Sequence, residues 1–110
     1  MKTFKLLHPK AKSKILIEEI IRIEGDVNYC HLILSTGRKI ILARTLKAYE
    51  KALSLPFVRV SKSCMVNLKY LHKNPCLESQ QLLMVDGTKI QISRRRIETV
   101  SQAILSVYNA

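Results

Sequence analysis

Apolar and polar positions alternate with a period of two along most of the first two-thirds of the chain, the pattern of strands that turn one face to a core. Residues 21–24, 29–34 and 39–43 carry it, separated by the loop GDVN and the turn STG. The second and third of these runs predict an antiparallel hairpin. Upstream, residues 3–7 and 15–17 read as short strands around the basic turn HPKAKSK, whose Pro9 suits a connection. Downstream, residues 82–85 and 89–92 flank the sequence VDGT. Asp-Gly between two such runs is a strong hairpin signal. Residues 70–71 add a short strand.

The stretch FVRVSKSCMVN, residues 57–67, breaks the rule in an informative way. Val58, Val60, Cys64 and Val66 keep an apolar register, but Lys62 falls on the same parity, where a buried unpaired ammonium is costly. The chain is therefore expected to turn at Ser61, Lys62 and Ser63, with Lys62 displayed at the tip between two β segments.

Two segments switch to helical period. In TLKAYEKAL, Leu46, Tyr49 and Leu53 share a face behind Thr45, a plausible N-cap, and the segment stops before Pro56. In SRRRIETVSQAILSVYNA the stripe is Ile97, Val100, Ile104 and Val107 or Tyr108, with Ser93 as the expected N-cap. That cap places Arg94, Arg95 and Arg96 in a first turn, where the macrodipole disfavours each cation by about 0.3–1 kcal/mol. A phosphate offsets the cost, because free N–H groups at a helix start and arginine forks both donate to it. The alternative is a solvated basic face partly paired with Glu98.

Composition narrows the class. The 110 residues are 47% hydrophobic and 25% charged, which suits one domain, 1–110, with its core at about 15–104. No apolar run is long enough for a spanning helix, and lysines occupy the start where a signal peptide has its apolar region, so a cytoplasmic protein without membrane insertion is expected. Against 8 acidic residues stand 19 Lys and Arg, a net charge of +11 that favours a polyanionic partner. Cys30, Cys64 and Cys76 form no CxxC pair and are expected to be buried small hydrophobes; a metal site from Cys30, His31, His72 and Cys76 lacks closely spaced ligand pairs. Scattered histidines, no glycine-rich phosphate cradle and no paired carboxylates argue against an enzyme, and no cofactor is expected.

Three segments, EGDVNY, VSKSCMVN and ISRRR, each join a predicted strand to a loop with hydrogen-bonding side chains. Together they resemble the LytTR family, the DNA-binding domains of bacterial response regulators. The resemblance rests on Ile23-Glu24 with Asn28-Tyr29, on Phe57, Arg59, Lys62, Ser63, Val66 and Asn67, and on Asp86-Gly87 with Ser93-Arg94-Arg95. It runs from about Ile15 to Ile104.

The resemblance implies a mostly β, elongated fold of small antiparallel sheets with a short connecting helix and a C-terminal helix. It implies sequence-specific binding of double-stranded DNA by a transcriptional regulator, with inter-strand loops in the major groove. Lys62 and Arg94 are the implied base readers, with Asn28, Tyr29 and His31 approaching from the first loop. Arg59, Ser63, Arg95 and Arg96 are implied phosphate or scaffold residues, and Asn67 a structural one. Many members have His-Arg at the place of Ser61-Lys62, and lysine lacks arginine's planar fork. Paired repeats bound by two copies are expected, with either an upstream receiver domain or a separate signalling partner. The rival readings are a small basic RNA-binding β domain, which would stack bases on exposed aromatics, and a membrane-surface module, which would spread its cations along a helix face.

Overall fold

In the computed structural model, which describes residues 16–72 and 80–108, the alternating runs pair into two antiparallel sheets. The larger contains β1 (Ile20–Gly25), β2 (Cys30–Leu34), β3 (Lys39–Leu42), β4 (Phe57–Ser61) and β5 (Cys64–Asn67), in the order β3-β2-β1-β5-β4. The smaller is the hairpin β6 (Gln81–Leu83) with β7 (Lys89–Gln91). Gly87, at φ +88°, supplies the left-handed residue of its Asp-Gly turn. Two helices complete the fold, α1 (Leu46–Ala52) and α2 (Ile97–Tyr108), and the molecule is elongated at 41 × 28 × 24 Å.

The large sheet separates two cores. On one face Ile23, Cys30, Leu32, Met65 and Phe57 pack under Leu46 and Tyr49 of α1. On the other, Ile21, Val58, Val60, Cys64 and Val66 meet Leu82, Ile90 and Ile92 of the hairpin and Val100 and Ala103 of α2. Cover on both sides explains why all of β5 is buried. Each large aliphatic side chain so enclosed contributes about 1.5–3 kcal/mol of transfer free energy.

Polar groups fix the register. Asn67, 2% exposed, donates from Nδ2 to the Ile20 carbonyl at 3.0 Å and accepts from the Lys69 amide at 3.0 Å. The Ile20 carbonyl lies at the irregularity in the β1–β2 ladder, so Asn67 is structural, as expected. Arg22 on β1 donates to Glu24 at 3.0 Å and to Asp86 at 2.8 Å, which ties the turn of the small hairpin to the large sheet.

The expected N-cap Thr45 accepts from the Ala48 amide at 3.3 Å. Three sequence expectations change. Residues 70–71 contribute an isolated bridge, Leu71 to Met84, after a 3-10 turn Leu68–Tyr70, and Ile17 begins a 3-10 turn Ile17–Glu19 in place of a strand. Ser93 caps no helix with its side chain, because its hydroxyl is engaged with the Val60 carbonyl at 3.3 Å. Arg94–Arg96 consequently form a separate 3-10 turn, and α2 starts at Ile97 with Glu98 in its first turn, the sign the macrodipole favours. The expected strand at residues 3–7, the turn HPKAKSK, Ile15 and Cys76 lie outside the described residues.

Candidate nucleic-acid interface

Three loops distant in sequence meet at one end of the large sheet. The first, residues 26–29, closes on itself through Asp26 N–H to the Tyr29 carbonyl at 2.8 Å, and leaves Val27 83% exposed. Where it leaves β1, the Gly25 amide donates to the Ser63 carbonyl of the β4–β5 turn at 2.7 Å. A Cβ at Gly25 would meet Leu46 Cβ at 3.1 Å, so glycine permits the start of α1 to lie against the loop. The third loop joins the same end: the Ser93 amide donates to the Val60 carbonyl at 2.8 Å, and the Arg96 amide closes the 3-10 turn on the Ser93 carbonyl at 2.9 Å.

Arg59 organises the turn between β4 and β5. Its Nε donates to the Ser61 carbonyl at 3.1 Å and its Nη2 to the Lys62 carbonyl at 2.7 Å. Nη1 meets the Glu50 carboxylate of α1 at 3.0 Å, while the other Glu50 oxygen lies 3.8 Å from Arg96 Nη1. Arg59 is thereby committed to the scaffold, and Arg96 is partly neutralised. The side chains of Lys62, Arg94 and Arg95 are exposed and make no hydrogen bond or ion pair among the described residues. Their charge faces outward.

An open groove of about 390 Å³ runs between the first loop and the start of α1, lined in part by Asp26, Lys47, Arg59 and Lys62. Lys47 was not among the residues singled out from sequence. It reaches the groove through the packing of Gly25 against Leu46, a long-range contact with no short-range signal.

Of the remaining expected site residues, Asn28 and Tyr29 are exposed in the first loop, and Ser63 is exposed in the second. His31 is different. It lies within β2, half-buried, opposite Glu24 and Ile41, with Nδ1 buried and without a hydrogen-bond partner among the described residues. It is a sheet residue, not part of the loop tip. Tyr49 and Phe57 are core residues, whereas Tyr29 and Tyr108 are about half exposed.

Cys30 and Cys64 are buried, and burial pushes their thiols up to about 11 and about 12 respectively. Among the described residues no cluster of His, Cys, Asp or Glu could hold a metal ion. None of their helices is long and apolar enough to cross a membrane.

A search of curated proteins finds no match. Among solved structures, the fold is shared with the LytTr DNA-binding domain of a Bacillus cereus protein described as a methyl-accepting/DNA response regulator, at 14% identity and a TM-score of 0.70, over 86% of this chain and 91% of that one. The family model of the LytTr DNA-binding domain matches residues 11–105. With that match over most of its length, the chain belongs to the LytTr DNA-binding domain family.

Proposed function

We propose that this domain binds double-stranded DNA sequence-specifically as part of a bacterial, cytoplasmic transcriptional regulator, inserting its three clustered loops into the major groove. The observation that carries this reading is the convergence of the loops. Gly25 to Ser63 and Ser93 to Val60 hydrogen bonds hold them at one end, where Lys62, Arg94 and Arg95 are exposed without acidic partners among the described residues. A major groove about 12 Å wide admits such protrusions, and its base edges offer a distinct donor and acceptor pattern for each pair.

In this reading Arg94 and Lys62 both reach the groove, Arg94 to base edges and Lys62, a compact ammonium without arginine's planar fork, to the flanking phosphates, with Asn28 and Tyr29 beside them. Arg95, Lys47 and Ser63 meet phosphates. Phosphate contacts supply most of the affinity and base edges the discrimination. A module with few base readers specifies few base pairs, so two copies occupy paired repeats about one helical turn apart. An upstream receiver domain or a separate partner supplies the signal.

Competition between duplex DNA and RNA of matched sequence tests the class of ligand. Duplex preference is expected, with log K falling steeply against log salt, near −0.9 for each of about six to eight phosphates. RNA preference, or a slope shallower than about −2, contradicts the proposal.

A further inference from the structure

We infer that Glu50, an acidic residue beside a DNA-binding end, is a positioning residue for DNA recognition: its carboxylate couples the loop that carries Lys62 to the turn that carries Arg94. This inference rests on the proposed function and identifies how two of its loops are held in mutual register.

The geometry is specific. Glu50 lies on α1, outside all three loops, yet one oxygen is 3.0 Å from Arg59 and the other 3.8 Å from Arg96. Arg59 passes the constraint on, since its Nε and Nη2 hold the consecutive Ser61 and Lys62 carbonyls of the turn. Arg96 closes the same 3-10 turn that begins with Arg94. One carboxylate on a helix thus touches a side chain rooted in each of two reading elements.

Electrostatics sharpen the argument through its sign. A carboxylate close to a bound polyanion is unfavourable, so Coulomb's law alone predicts that its removal strengthens binding to any duplex. Positioning predicts the opposite for a cognate site. With Glu50 neutralised, Arg59 and Arg96 lose their common anchor and the two loops lose their fixed spacing. Contacts that need both loops in place then weaken. Contacts to phosphate alone do not.

The test uses the full chain and a duplex selected by the wild-type protein from a random library, with a scrambled duplex for comparison, at one salt concentration. Glu50→Gln, which keeps the shape, is expected to bind the selected duplex about threefold to tenfold more weakly, in line with the loss of two partly exposed ion pairs, and the scrambled duplex no more weakly than wild type. Its thermal midpoint should stay close to wild type, because the carboxylate is at the surface. In an Arg94→Ala background the same change should leave the ratio of selected to scrambled affinity unaltered. Equal or tighter binding of the selected duplex by Glu50→Gln overturns the inference alone, as does the same loss of ratio in the Arg94→Ala background. A wild-type chain with no duplex affinity overturns the proposed function, and this inference with it.

Discussion

Arg59 donates to the main-chain carbonyl of Lys62 at 2.7 Å, so the residue at the tip of the β4–β5 turn is presented by an arginine whose guanidinium is engaged by the Ser61 and Lys62 carbonyls and by Glu50. The division of labour between the two cations predicts different mutant behaviour. Lys62→Ala removes one compact ammonium from a turn whose backbone is held independently. Affinity for selected and scrambled duplexes should fall by similar factors, and the salt slope should shrink by about one. Titrations on both duplexes at several salt concentrations measure this. Loss confined to the selected duplex would make Lys62 a base reader.

Asn67 predicts a large stability effect far from the DNA-binding end. Asn67→Ala leaves the Ile20 carbonyl in the sheet and the Lys69 amide in the following 3-10 turn without their partner. Buried unsatisfied groups cost about 1–3 kcal/mol each. Chemical denaturation should show a loss of about 2–4 kcal/mol, and a loss below about 1 kcal/mol would mean that water replaces the side chain.

The pairing of Arg22 with Asp86 gives a pH dependence. Partial burial disfavours the Asp86 charge, but hydrogen bonds from the Thr88 amide and from Arg22 outweigh it and hold the carboxyl below its ordinary 3.8. A depressed carboxylate stabilises the fold fully above its unfolded value, and the contribution disappears as pH falls through the lower folded value. Thermal midpoints should therefore drop on acidification below about pH 4. Asp86→Asn should flatten that limb at a neutral-pH cost of about 0.5–1 kcal/mol, given the partial exposure.

Cys30 and Cys64 predict slow chemistry. Burial holds both protons, with thiols raised from 9.0 to about 11 and about 12. Stability from these neutral thiols is complete below pH 9 and lost as pH rises through the folded values. In a Cys76→Ser variant, thiol-reagent labelling at neutral pH should proceed no faster than unfolding. Rapid labelling of the native state would contradict their enclosure.

What was legible in the sequence divides along the range of the interactions involved. Alternation located the strands from β1 to β5 and the β6–β7 hairpin, because a period of two with turn residues between runs is a local property. Lys62 was placed at a turn by parity alone, and its exposure agrees. The start of α2 was misplaced because Ser93 looks like a cap from its neighbours, whereas its hydroxyl binds Val60, 33 residues earlier. Arg59 was left between phosphate and scaffold because its partners include Glu50 on another element. Lys47 and Glu50 carry no local signal. Only the packing of α1 against β1 and β5 brings them to the site.

The account turns on whether the clustered loops read sequence, and Arg94→Ala tests this most directly. Arg94 lies exposed in a 3-10 turn pinned to β4 through Ser93, so its direction is set by a rigid element, and its guanidinium can pair with both O6 and N7 of a guanine. The measurement is the ratio of affinities for a selected and a scrambled duplex, wild type against Arg94→Ala, at one salt concentration. The account predicts a loss of about 1–3 kcal/mol on the selected duplex, with little change on the scrambled one. Equal loss on both would make Arg94 a phosphate clamp and contradict the assignment of sequence reading to this turn.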